Sequence, residues 1–191
     1  MLCPQHLSPP TPVPMAWLLV SLLTPAAALS QATLPTQTLP VVAQVCGPVL
    51  EQRQHRYPAS TCVALEVPDT PAEYQIGLMG RSHLPPERGM WFRFDRQNAS
   101  FWMRNTLIPL DLVFLERRDS RMARVVKVAH GVLPCQSLHC PTYEAGQPVD
   151  HVVELAAGEA RRRGWKEETV LDFRWLEDSG GENDRSQSTR D

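Results

Sequence analysis

Apolar and polar positions alternate over Thr61–Val67, with Thr61, Val63, Leu65 and Val67 on one side and Cys62, Ala64 and Glu66 on the other. A period of two is that of a half-buried strand, and it puts Glu66 on the less apolar face. A helix is predicted next. Thr70 suits the N-cap, Pro71 the first helical position, and Glu73 completes a capping box. Tyr74, Leu78 and Met79 form its apolar stripe, and Gly80 is a left-handed stop with Arg81 just beyond. Pro85-Pro86 breaks the chain. Short strands are then predicted at Met90–Phe94 and Phe101–Arg104, separated by a turn over Asp95–Ser100. Asn105-Thr106 reads as a tight bend.

Leu110–Glu116 alternates again, with Leu110, Leu112 and Phe114 on one face. Arg117–Arg121 is a charged hairpin turn into a strand over Met122–His130. A cysteine-containing loop leads to a strand at His151–Leu155, a short helix at Gly158–Arg163 stopped by Gly164, and a last strand at Thr169–Trp175. Many strands, two short helices and frequent turns predict an α+β domain with a mainly antiparallel, barrel-like β core.

The ends follow other patterns. Residues 1–30 contain no Asp, Glu, Lys or Arg, and Met15–Leu23 is an apolar run followed by Ala26-Ala27-Ala28. This is the pattern of a signal peptide, too short for a membrane span of roughly 20 residues. A start at Met15 would put the run at the N-terminus. Eight of the prolines fall in the first forty residues, so 31–45 reads as a flexible linker. The expected organisation is a leader at 1–30, a linker at 31–45, one globular domain at 46–176 and a disordered acidic tail at 177–191.

Charge and cysteines sharpen this picture. The formal net charge is −2, and the tail, with five acids against two arginines, leaves the rest at +1. A near-neutral body argues against nucleic acid as a partner. Removing the leader removes Cys3 and leaves Cys46, Cys62, Cys135 and Cys140, an even number that in an exported domain reads as disulfides. Four cysteines allow three pairings, and the local closures Cys46–Cys62 and Cys135–Cys140 are favoured. Cys135, His139 and Cys140 with His130 lack the second ligand pair of a structural zinc site, so neither metal nor cofactor is expected. The oligomeric state is left open.

The densest chemistry lies in Phe101-Trp102-Met103-Arg104-Asn105-Thr106, continuing to Pro109-Leu110-Asp111. With Glu66 through Arg81, Gly89-Met90-Trp91-Phe92, Pro134-Cys135, Cys140-Pro141-Thr142-Tyr143 and Val153–Gly158, these blocks resemble the family known as domain of unknown function 192. The resemblance covers about Cys62–Phe173. It implies a compact β-rich α+β domain, often exported, in a family without an established activity. Arg104 stands where that family more often has Lys, which replaces an ammonium with a planar fork.

Three readings follow for the polar set. In the first, Glu66, Arg81, Trp102, Arg104, Asn105 and Asp111 converge on a small polar or anionic ligand: Arg forks onto an oxyanion and Trp102 stacks. Here Met103 is core and Trp102 lines the cleft. In the second, Glu66 and Asp111 are an acid/base pair on a carbohydrate-like substrate. In the third, the motif locks a hairpin and binds nothing.

Overall fold

The computed structural model describes residues 33–48 and 62–176. The expected leader at 1–30, most of the region between Cys46 and Cys62, and the tail at 177–191 lie outside the described residues. Nine strands and two helices follow in chain order: β1 Val41–Cys46, β2 Cys62–Glu66, α1 Pro71–Ile76, β3 Arg88–Gln97, β4 Ser100–Trp102, β5 Leu110–Arg117, β6 Met122–Val132, β7 Thr142–Glu144, β8 Val149–Ala156, α2 Glu159–Arg162 and β9 Val170–Trp175. Seven strands close a barrel in the order β1-β2-β3-β8-β5-β6-β9, and β4 pairs with β7 in a separate two-stranded sheet. The β2–β3 pair is parallel and the other barrel pairs are antiparallel. The chain is therefore α+β with a barrel core, as its patterning predicts.

Strand β8 organises the packing. It pairs with β3 on one side and β5 on the other, and Val149–Leu155 are all buried. Its alternate residues face two different cores. Val153 and Leu155 join Trp91, Val113, Leu115, Leu171 and Phe173 inside the barrel. Val152 joins Met90, Phe92, Met103, Leu112 and Phe114 in a second core outside the barrel wall. A strand covered on both faces reads as a nearly continuous apolar run, which hides its period.

Several boundaries differ from the sequence expectation, among them β4, which covers Ser100–Trp102 and not Phe101–Arg104, and three bear on the architecture. Strand β1 begins at Val41, inside the stretch read as a linker, because Ala43 and Val45 face the barrel interior and complete it. Strand β3 runs to Gln97, through residues expected to turn, since pairing with β8 extends to Val149. Helix α1 ends at Ile76 rather than near Gly80. Gly77 adopts φ 49° and ψ −129°, a conformation that glycine tolerates, and breaks the helix a turn early. The capping box at Thr70 and Glu73 forms as expected.

Both local disulfides form. Cys46 and Cys62 are register partners across β1 and β2, and Cys135–Cys140 staples the loop before β7.

Candidate functional site

A cleft of about 330 Å³ opens between α1 and β4. The capping box fixes the start of α1, so Tyr74 lands edge-on to Phe92 and Phe94, with ring centroids 5.8 and 5.9 Å apart. Its hydroxyl donates to the Arg93 carbonyl at 2.7 Å. Phe101 on β4 meets Phe92 edge-to-face at 5.0 Å and backs onto Phe114 of the second core. These rings make a rigid apolar wall. Gln97 and Asn98 supply amides along one lip, and Trp102 and Arg104 stand on the same cleft. Trp102 is 47% exposed, and the Arg104 guanidinium lies 5.6 Å from its ring centroid, a cation–π pair open to solvent. Met103, between them, is wholly buried.

The backbone behind this rim is tied down. Asn105 has a positive φ of 58°. Its N–H donates to the Cys135 carbonyl and its own carbonyl accepts from Gly80 N–H, both at 2.9 Å. Cys135 N–H donates to Met103 O at 3.0 Å, and Gln136 Nε2 to Thr106 O at 2.6 Å. The disulfide loop thus buttresses the Arg104 turn from behind. Asn105 serves this turn through its backbone and is not among the residues lining the cleft.

The decisive group at the base of the cleft is Glu154. It is 5% exposed, and its Oε2 is buried without a hydrogen-bond partner. Burial pushes its carboxyl up to about 8; the Arg81 charge pulls the other way and does not prevail. Near neutral pH the group is thus mainly a neutral acid with a proton to donate. A methyl placed on Gly77 would come within 3.3 Å of Phe92 Cζ and 3.7 Å of Glu154 Oε2, so the helix break also preserves space above this carboxyl.

The remaining expected site residues are engaged elsewhere. Glu66 is 1% exposed and forked by Arg81, with Nη1–Oε1 at 2.8 Å and Nη2–Oε2 at 2.5 Å. Leu39 N–H and Arg88 also donate to it. Burial alone would raise this carboxyl; the bonds from Arg81 and Leu39, then the Arg81 charge and Arg88, outweigh it and leave it below the usual range. Arg81 Nε donates to the Gln37 carbonyl at 3.0 Å. The pair therefore anchors residues 37–39 to the barrel. Asp111 is fully buried and accepts from Gly131 N–H at 2.8 Å and Ala160 N–H at 3.0 Å, capping α2 and holding a bulge in β6. Neither Glu66 nor Asp111 lines the cleft. The structure joins Trp102 with Arg104 and Glu66 with Arg81, and it does not gather all six residues around one ligand. Glu154 was missed by sequence reasoning; an acid inside Val152-Val153-Glu154-Leu155 was the available signal.

The profile of DUF192, described as Uncharacterized ACR, matches residues 53–173. The chain belongs to this family. DUF192 residues thus include Glu66, Arg81, Trp102, Arg104, Glu154 and the β-strands β2 through β8. A solved structure from Novosphingobium aromaticivorans DSM 12444, of a protein of unknown function, is 31% identical; the match covers 70% of this chain and 84% of that one, with a TM-score of 0.53. A second, from Sinorhizobium meliloti 1021 and described as a candidate transcription regulator, is 24% identical over 73% of this chain and 97% of that one, with a TM-score of 0.56. The second likeness bears on fold alone. No curated protein matches this DUF192 chain. Among the described residues, no helix is long and apolar enough to cross a membrane, and no group of three His, Cys, Asp or Glu side chains is placed to hold a metal.

Proposed function

We propose that this DUF192 protein is an exported, non-catalytic binding or accessory protein that holds a small polar or anionic ligand in the cleft between α1 and β4. The observation that carries the reading is the unpartnered Glu154 carboxyl at the cleft's base. A buried polar group without a partner is costly, and a ligand acceptor satisfies it. Trp102 offers a stacking face to a sugar-like ring, and Arg104 a fork for an anionic substituent. The cleft's volume of about 330 Å³ suits one small molecule. Two disulfides fit an oxidising compartment, and residues 1–30 supply the export signal in this reading.

A thermal-shift screen of the disulfide-bonded protein against sugars, sugar acids and envelope metabolites tests the proposal. A hit raises Tm by mass action. Trp102→Ala should erase the shift while the unliganded Tm stays put. A shift that survives Trp102→Ala unchanged would exclude this cleft.

One observation favours a second reading, a carboxylate-dependent enzyme acting on a carbohydrate-like substrate. Glu154 keeps its proton near neutral pH, as a general acid must. The acid would then be Glu154, in place of Glu66 and Asp111. Turnover of a glycoside that vanishes in Glu154→Gln while binding persists would select this reading.

A further inference from the structure

The two ends of the barrel differ. Where β1 and β8 finish, α2 and Trp165 close it; Trp165 is 1% exposed and donates to the Gly47 carbonyl at 3.2 Å. At the other end the inward-facing positions continue past the apolar layer. Trp91 gives way to Arg93, Leu115 to Arg117, Val153 to His151 and Phe173 to Trp175. These residues frame a hollow of about 590 Å³ that shares no lining residue with the Glu154 cleft. Strand β3 serves both, with Phe92 and Phe94 toward the cleft and Trp91 and Arg93 toward the mouth.

Three nitrogens of this mouth are buried without a hydrogen-bond partner: Trp91 Nε1, Arg93 Nε and His151 Nδ1. Trp91 and His151 are 5% and 9% exposed. Arg93 and His151 are register partners across β3 and β8, and the Trp91 and His151 rings lie 5.4 Å apart. Indole and guanidinium nitrogens only donate, and a neutral imidazole can donate from Nδ1. Burial holds His151 down to about 4, so the ring is neutral at pH 7. The complement to such a set is an acceptor.

Charge gives that acceptor a sign. Asp172 is fully buried and shared by two guanidiniums, Arg121 at 2.7 Å and Arg174 at 2.6 Å. Arg117 pairs with Asp150 at 3.2 Å, and Arg96 lies nearer Glu116 at 2.9 Å than Asp150 at 3.6 Å. Arg93 Nη2 reaches the exposed Asp69 at 3.3 Å while its Nε stays unbonded. Asp119 is the one acid lining the mouth among the described residues. The floor is aromatic: Trp91 lies 4.7 Å from Phe173 and 5.3 Å from Trp175, and the Arg93 guanidinium sits 4.9 Å over Trp175.

We infer that the barrel mouth is a second binding site, for a small organic oxyanion carried on a flat carbon frame. The oxyanion accepts from Trp91 Nε1, Arg93 Nε and His151 Nδ1, and the frame lies against Phe173 and Trp175. Mouths of β-barrels commonly serve as such sites.

The test titrates the disulfide-bonded protein with benzoate and, separately, phenyl phosphate. Ionic strength is held constant with sodium chloride. Tryptophan fluorescence and the NMR signal of the Trp91 indole N–H are followed. The expected result is saturable binding of at least one probe, with the indole signal displaced. Affinity should be unchanged in Trp102→Ala and at least tenfold weaker in Arg93→Met and Trp175→Ala. Which probe binds tells a carboxylate from a phosphate. A linear response that sodium chloride reproduces, or full affinity in both mouth variants, overturns the site. Should both variants misfold, an unmoved Trp91 indole signal in the unsubstituted protein overturns it equally.

Discussion

A carboxyl taken out of water without a partner resists ionising, and Glu154 is held in that condition. The folded protein binds this proton more tightly than the unfolded chain, whose glutamate titrates near 4.5. The stability contributed by the proton is complete below pH 4.5 and is lost as pH climbs through about 8. Glu154→Gln should flatten that decline, so at pH 9 the variant should exceed the unsubstituted protein by on the order of a few kcal/mol. Urea denaturation at pH 5, 7 and 9 reads this out; the same slope in the variant would assign the decline to other groups. Glu66 has the opposite linkage. Its carboxyl is held below the usual range, so its contribution is present above the unfolded value of 4.5 and fades as pH falls through the folded one. Glu66→Gln leaves the Arg81 guanidinium buried without its counter-charge and should cost about 3 kcal/mol in the same assay at pH 7. At this scale the sequence was a partial guide. Trp102 and Arg104 stand out because they occupy alternate positions of one short motif. Glu66 and Arg81 are legible as important, but nothing local shows that each saturates the other. The mouth nitrogens were illegible, since Trp91, Arg93 and His151 meet through pairing between distant strands.

Helix α1 shows how one residue sets the form of an element. Its start is written in the capping box, which acts within four residues and can be read locally. Its end falls at Gly77 rather than Gly80; both glycines are local stop signals, and only the fold shows that Phe92 and Glu154 lie beneath the first. Gly77→Ala should therefore do more than relieve chain entropy. The positive φ and the 3.3 Å approach to Phe92 both oppose a methyl group, and a loss of roughly 1–3 kcal/mol is expected. Circular dichroism melts would measure it; an increase in stability would show that the backbone relaxes freely there. Strand β5 was located by its alternation, whereas β3 was expected only over Met90–Phe94 and runs from Arg88 to Gln97. Strand β8 was found short, because residues buried on both faces lose the polar beat that marks a strand's ends. Strand β1 was hidden by its proline-rich approach, although Val41, Val42 and Val45 favour extended backbone.

For the whole molecule, closure matters most. β1 joins β2 to β9 and completes the ring. The Cys46–Cys62 bridge fastens this seam over a separation of 16 residues, while Cys135–Cys140 spans 5. Loop-closure entropy makes the longer bridge worth about 3 kcal/mol and the shorter one less. Cys46→Ser with Cys62→Ser should thus lower the denaturation midpoint more than Cys135→Ser with Cys140→Ser. The second pair should instead weaken ligand binding at the cleft, by loosening the turn beneath Arg104. Equal midpoints for the two double variants would contradict this division of labour. The paired strands, two helices and both bridges were legible as an α+β fold. The parallel β2–β3 pairing and the resulting circular order were not, because they are set by which edges meet.

That seam has a practical side. The family match spans 53–173, so a chain trimmed to it keeps Cys62 but discards Cys46, β1 and Trp175. Such a fragment would be a hoop missing one stave, with two raw edges open to self-association and an orphan thiol ready to cross-link copies. Anyone purifying this protein should begin well before Gln37, which bonds Arg81 and α1, and end no earlier than Leu176, whose N–H donates to the Val42 carbonyl.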